Sequence, residues 1–323
     1  MSLPRRALLG AALAAPGLAR AQPAWPDRTL RFIVPFPAGS TPDLTGRIVA
    51  AGLASALGQP CVVENRTGAG GNIGTDAIAR ASDGHGFGLS INGPLSTAPA
   101  LYPTLPYDPA RDLAPVSLLV RGAQALVVHP DVPARDLEGF AQAARAGPGG
   151  IAFGSVGAGS GGHLAMLDLA DRLGGLELLH VPYRGFPEAT LDLVAGRIQA
   201  MMVTAAAVLA PLQAGQLRAL ATTGAARFPG LPQTPTLGEF GLAEADSYGW
   251  QVMVAPAATP PDRIARLHAA AVAALGEPEA RLRLERAGFE VVGSDPDAAA
   301  RFLAAEAARW GGLIRRLGIR AEG

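Results

Sequence analysis

Residues Phe32–Val49 read FIVPFPAGSTPDLTGRIV, and this stretch decides the fold class. Phe32, Ile33 and Val34, with Phe36 after one proline, make an apolar run of strand length. Pro35, Pro37 and Gly39 turn the chain. Thr41 then suits a helix N-cap, Pro42 the first helical position and Asp43 the first turn. Leu44, Ile48 and Ala51 share one helical face, and Gly58 marks the stop. The stretch therefore predicts a strand, a tight Gly/Pro loop and a helix N-terminus. Such an end offers unbonded amides and the positive pole of the helix dipole. Phe36, Ala38, Gly39, Ser40, Thr41 and Asp43 are thus candidate contacts for a carboxylate or phosphate; the plainer reading is an ordinary β-α turn.

The same alternation continues outward. Cys61–Glu64 predicts a second strand, followed by the glycine-rich 65–74 and a helix over Thr75–Ala81. Gly88–Asn92 predicts a third strand. A Pro-rich excursion over Pro94–Pro115 precedes two expected strands, Val116–Val120 and Ala125–Val128, and a helix ending near Gly147. A second unit opens with a strand over Ile151–Ser155, the loop Val156–Gly162 and a helix that Ser160 caps and that carries His163. Strands are expected over Leu178–Val181, Ala200–Thr204, Arg218–Thr223 and Gly249–Ala255. Helices follow after Thr259, over Arg281–Ala287 and from Asp295 on. Strands alternating with helices argue for an α/β fold with parallel sheets. Ligands then bind outside the carboxyl ends of strands, where Asn92 and Thr204 fall.

Composition narrows the chemistry. The 323 residues suffice for two domains. Basic and acidic residues balance at 27 each, so no basic surface is offered to nucleic acid. All the basic residues are arginine; without lysine there is neither Schiff-base chemistry nor a P-loop. The single cysteine, Cys61, excludes an intramolecular disulfide and any multi-cysteine metal site. His85, His129, His163, His180 and His268 are scattered with no metal-binding spacing, so neither metal nor cofactor is expected. Arg5-Arg6, the apolar Ala7–Ala19 and Ala19-Arg20-Ala21 predict a signal peptide over residues 1–21, cleaved after Ala21. The Sec and twin-Arg routes both fit. The mature chain is expected to be soluble and periplasmic.

Two loops tempt other readings. Gly68-Ala69-Gly70-Gly71-Asn72-Ile73-Gly74 follows a strand, but Ile73 stands where a dinucleotide fingerprint needs its third glycine. A backbone turn that approaches a ligand, or simply packs, fits better. Ala158-Gly159-Ser160-Gly161-Gly162 is similar to a nucleophile elbow with alanine for the first glycine. This makes a serine hydrolase built on Ser160 the alternative, although His163 lies one turn along the same helix rather than across from the serine. Ser155, Ser160 and His163 read more naturally as a second anion site.

Several blocks carry a family resemblance. They are Trp25-Pro26-Asp27-Arg28, Val34–Gly39, Leu57–Arg66, Gly68–Gly74, Pro99–Tyr102, Leu105–Pro109, His180–Gly185 and Val254–Pro256. In this order they resemble the Bug family, the periplasmic solute-binding receptors of tripartite tricarboxylate transporters. The resemblance implies a non-enzymatic type II periplasmic-binding-protein fold of two α/β lobes, residues 22–121 plus 248–323 and residues 122–247. It implies a monomer that closes on a small organic carboxylate, without cofactor, and partners with integral membrane transporter subunits. A sensor that docks a membrane kinase stays open. The resemblance places the ligand between Phe36–Asp43 and the trio Ser155, Ser160 and His163. Phe186 and Glu188 depart from the family pattern at the expected pocket rim. Val203 stands where many members carry an acid, which implies a ligand without an ammonium group.

Overall fold

The computed structural model describes residues 25–147 and 150–320; the expected signal peptide lies outside them. Ten strands alternate with eleven helices among these residues. The strands are β1 (Leu30–Val34), β2 (Cys61–Asn65), β3 (Gly86–Ile91), β4 (Leu113–Val128), β5 (Ala152–Ser155), β6 (Leu179–Pro182), β7 (Ala200–Thr204), β8 (Arg218–Thr222), β9 (Tyr248–Pro256) and β10 (Glu290–Val291). The helices are α1 (Thr41–Leu57), α2 (Asn72–Ala79), α3 (Ala98–Leu101), α4 (Pro109–Asp112), α5 (Leu137–Arg145), α6 (Gly161–Arg172), α7 (Phe186–Val194), α8 (Leu209–Gln213), α9 (Pro261–Gly276), α10 (Pro278–Arg286) and α11 (Pro296–Leu317).

The sheet runs β2-β1-β3-β9-β4-β7-β5-β6, with β8 and β10 also on β4. It has two parts that share β4. From Leu113 to Ala123 that strand pairs with β9; from Gln124 to Val128 it pairs with β7, and from Ala125 with β8 on its other side. The chain passes to the second part along β4 and returns along β9. Two expectations change here. The sheet is mixed, not parallel throughout: β1, β2 and β3 are parallel, as are β5, β6 and β7, but β9 runs against β3 and β4, and β4 against β7 and β8. The strands expected over Val116–Val120 and Ala125–Val128 are one strand. Gly122 falls between the two expected strands, yet it pairs with Gly249 and continues the ladder. A Cβ at Gly122 would lie 2.7 Å from the Gly288 carbonyl oxygen, so only glycine fits the crossing. Pro115 is tolerated in this central strand because the register shifts between Pro115 and Ser117.

Each sheet part is covered by helices. Phe32, Val49, Phe87, Leu267 and Ala271 pack on one face of the first part, and Ile33, Ile78, Trp250 and Val254 on the other. In the second part, Phe140, Phe153, Leu169 and Met202 fill one face, and Val127, Leu193, Met201 and Val203 the opposite one. Helix α11 links the two parts: Leu164 of α6 is fully buried among Leu101, Trp310, Leu313 and Ile314. No helix among the described residues is long and apolar enough to cross a membrane.

Helix α1 lies close on α9. A Cβ built on Gly52 would lie 2.1 Å from that of Ala274. Gly52→Val should therefore destabilise the protein by about 1–3 kcal/mol through overpacking, despite a better helix residue than glycine. Urea unfolding of the two proteins checks this; equal midpoints would mean the helices can part without cost.

Candidate functional site

The loop after β1 is built around one carboxylate. Asp43 is 4 % exposed; its Oδ2 accepts from the Gly39 amide and from Arg47 Nε, both at 2.9 Å, and its Oδ1 accepts from Asn65 Nδ2 at 2.9 Å. Asn65 also donates to the Phe36 carbonyl. Burial pushes the Asp43 pKa up, but Arg47, the Gly39 amide and Asn65 together hold it below its ordinary value. Asp43 is thus committed to shaping the loop. The helix begins one residue earlier than expected: Ser40 occupies the N-cap and Thr41 the first helical position. The Ser40 hydroxyl donates back to the Pro37 carbonyl at 2.6 Å instead of capping. Phe36 is a core residue, 1 % exposed, and Ala38 and Gly39 lie exposed at the rim.

The facing loop has its own brace. Ser155 Oγ lies 2.7 Å from His180 Nε2 and donates to the Gly157 carbonyl at 3.0 Å. His163 Nδ1 accepts from the Gly159 amide at 3.0 Å. The two imidazole centroids lie 4.0 Å apart with the rings tilted by 33°, and the Phe153 ring stacks on His163 and lies against His180. Burial and the neighbouring His180 push the His163 pKa down to about 3, and burial pushes His180 to about 4. Both rings are therefore neutral at neutral pH. Ser160 holds the N-cap position of α6 as expected, but its hydroxyl makes no capping bond and is buried without a partner. No histidine is bonded to it.

Bonds cross between the loops. Asn92 Oδ1 accepts from the Gly161 amide at 3.1 Å and from its neighbour Gly93 at 3.0 Å. Thr97 Oγ1 reaches the Gly159 carbonyl at 2.7 Å from the wide helical turn Gly93–Thr97. The glycine-rich 68–71 run packs at the same place. Its four residues all have positive φ; Gly71 sits under the Phe36 ring and Gly70 beside Gly157. The run is a packed turn at the mouth of a cleft.

Between the loops is a cavity of about 40 Å³. Thr41 and Pro42 open into it from α1, and Gly161 and Gly162 from α6. Gln124, Thr204, Gly249 and Gln251 form its floor, with Asn92 beside them; Ile91, Val156, Phe186, Trp250 and Phe289 wall it. No arginine, histidine or carboxylate lines it. The structure thus brings Thr41, Asn92 and Thr204 to the cavity and Ser160 next to it. Phe36, Ser40, Asp43, Ser155 and His163 stand behind as loop supports. Val203 is 1 % exposed and packs on the far side of β7 with Leu193 and Ile198, so its side chain does not reach the cavity and gives no argument about the ligand. Glu188 is exposed to solvent. Gln124 and Gln251 were missed; the available signal was a lone glutamine within each of the apolar strands GAQALVV and GWQVMV. Among the described residues no group of His, Cys, Asp or Glu could hold a metal ion.

The family described as tripartite tricarboxylate transporter family receptor matches residues 45–319. The chain belongs to that family. A UPF0065 protein from the tcbD-tcbE intergenic region of Pseudomonas sp. strain P51 is 39 % identical over 315 residues, 96 % of this chain and 93 % of the relative. Protein BugT of Bordetella pertussis is 35 % identical over 320 residues, 98 % of each chain. Among solved structures, Rpa4515 of R. palustris with adipate superposes with a TM-score of 0.86 at 33 % identity, over 92 % of this chain and 100 % of that one. MatC of Rhodopseudomonas palustris with bound malate gives 0.84 at 31 %, over 90 % and 99 %. The fold is that of the periplasmic binding proteins of this family, and the family's members are solute-binding proteins.

The neutral histidine pair has a pH signature. The unfolded chain protonates both rings below their ordinary value of 6.5, and the folded chain does so only near 4 and 3. The unfolded state binds more protons in between, so stability is present above 6.5 and is lost as pH falls. The urea midpoint should drop from about pH 7 to about pH 4, with a slope approaching about 1.4 kcal/mol per pH unit for each fully shifted histidine. His180→Gln should flatten that slope; an unchanged slope would show that His180 titrates alike in the folded and unfolded chains.

Proposed function

We propose that this chain is an exported solute-binding receptor that captures a small organic carboxylate in the cleft and delivers it to the membrane subunits of a tripartite tricarboxylate-type transporter. The carrying observation is that two helix N-termini, α1 and α6, converge on one cavity with no side-chain cation in it. The first turn of a helix has no intrahelical acceptors for its amides. In α6 the Gly161 amide already serves Asn92 and the Leu164 amide serves the Ser160 carbonyl, so the amides of Gly162 and His163 and the Ser160 hydroxyl are left to a carboxylate. Thr41, Asn92 and Thr204 complete the contacts. No anionic side chain lines the cavity, so an amino-acid ammonium would find no partner there. The adipate- and malate-bound relatives support a carboxylate ligand.

The cavity of about 40 Å³ is far below the several hundred Å³ of ordinary ligand pockets, so entry requires opening. The two bodies that part are residues 22–121 with 248–323, and residues 122–247. They pivot on β4 and β9 and break the Asn92–Gly161 and Thr97–Gly159 bonds. The protein works in the periplasm, where neutral donors suit a receptor that must release its cargo. Micromolar binding needs only about 8 kcal/mol, within reach of several hydrogen bonds of about 1 kcal/mol each plus burial of the ligand body.

Titration calorimetry of the chain from Gln22 onward, with organic acids and amino acids, tests this. Carboxylates should bind and simple amino acids should not. Ser160→Ala should weaken the best acid by about 1 kcal/mol, roughly fivefold, with no product formed by either protein. Product formation that disappears in Ser160→Ala would establish the hydrolase instead. Thr97→Val touches no ligand, yet should weaken binding by a similar factor because closure loses a bond. Unchanged affinity would show that this bond plays no part in closure.

A further inference from the structure

The cavity between the helix ends has a larger neighbour. A second cavity, of about 840 Å³, lies where β4 and β9 cross and is lined there by Arg121–Ala123 and Tyr248. The loop 224–230 lines it from one sheet part and Gly288–Glu290 from the other. Leu209, Phe228 and Tyr248 give it apolar surface. Two of its arginines are already matched: Arg121 donates to Glu290 at 2.8 and 3.1 Å, and Arg227 Nε to Glu239 at 2.8 Å. Among the described residues Phe289 alone lines both this cavity and the small one.

Phe289 is held in place from several directions. Its amide donates to the Leu284 carbonyl at 3.0 Å, and the next residue, Glu290, pairs with Arg121 of β4. Its side chain is 3 % exposed and belongs to the core that contains Val120, Met253 and Leu284. On the side of the crossing there is no slack, because a Cβ at Gly122 would lie 3.1 Å from Phe289 Cδ1. A ring packed in this way does not swing aside for a ligand. Building on the carboxylate reading above, we propose that Phe289 is a specificity residue: the fixed wall that ends the ligand cavity and limits the length of the acid it accepts. An acid with a short body lets the cleft close, and a longer one meets the ring and holds the cleft apart. Without the ring the two cavities join, and a longer apolar tail gains a place beside Ala123, Leu209 and Phe228. Each methylene buried there strengthens binding about fourfold.

Calorimetry of the chain from Gln22 onward with the straight-chain acids butyrate, hexanoate and octanoate tests this. In the wild type, octanoate should bind about ten-fold or more weakly than butyrate, because its tail has no room. Phe289→Ala should tighten octanoate about ten-fold or more while butyrate changes less than about threefold. Ala226 is exposed and lines the larger cavity, so Ala226→Trp added to Phe289→Ala should cancel the gain by filling the place of the tail. A gain that came only from a loosened core would survive that second substitution. Octanoate bound by the wild type as tightly as butyrate would overturn the role of Phe289, and this comparison decides even if Phe289→Ala fails to fold. Unchanged octanoate affinity in Phe289→Ala, or a gain that survives Ala226→Trp, would also overturn it and leave the carboxylate site standing. Absence of binding by every acid would overturn both readings together.

Discussion

Strand β4 gives its backbone hydrogen bonds to β9 along one part of its length and to β7 and β8 along the rest. Neither sheet part can shift without bending this strand or its partner β9 at Gly122–Gly249. Two glycines pair there because the crossing is crowded. A Cβ at Gly249 would lie 2.7 Å from Thr204 Oγ1, just as one at Gly122 would strike the Gly288 carbonyl. The crowding therefore lies at the place where the proposed lobes would pivot. Thr204 and Gly249 of this crossing also line the cavity, so any movement of the sheet parts would change the distance between the two helix N-termini that open onto it.

Helix α11 bears on such a pivot. It belongs to the end of the chain, yet Leu164 of α6 is buried against Trp310 and Leu313, and Asp168 of α6, 4 % exposed, lies between Arg172 and Arg316. The helix that offers its first turn to the cleft is therefore held along its side by a helix packed on the other sheet part. The neutral His163–His180 pair braces the loop before the same N-terminus through the Gly159 amide and Ser155. Its neutrality matters, because a protonated ring would add a charge to a loop that otherwise works with amides and hydroxyls.

Much of this was legible in the sequence, and the reasons differ by element. The β1–loop–α1 unit could be read because its prolines and Gly58 punctuate it, and the Ser160 N-cap because small residues surround it. The continuous β4 was not legible. Gly122 and Pro115 are local breakers, and only tertiary pairing with β9 overrides them. Asp43 could be placed at the first helical turn, but not its duty: the partners Gly39, Arg47 and Asn65 converge only after folding. The cavity floor was hidden for the opposite reason. Gln124 and Gln251 sit in strands that look like ordinary core, and their polarity acquires meaning only when β4 and β9 place both in one cleft. Val203 shows the limit of reasoning by position, since its neighbour Thr204 faces the cavity and alternation along β7 turns Val203 away.

A cradle of neutral donors has a consequence for how selectivity arises. An arginine clamp would bind any carboxylate tightly and leave little for the rest of the ligand to decide. In the proposed binding mode the carboxylate is held by amides and a hydroxyl, each of modest worth, and those donors are the same for every acid. Discrimination must then come from the body of the ligand: from how it fills the space between Phe186, Trp250 and Phe289, and from whether it meets the polar groups of the floor. Because closure brings those walls together, an acid that fits them poorly fails to stabilise the closed form even though its carboxylate is held as well as any other. Recognition of the acid group and recognition of the individual acid are thereby separated. On the proposed reading the first falls to the helix ends and the second to the crossing strands, so that one fold could change cargo by substitutions on β4 and β9 while the loops at the helix ends stay as they are.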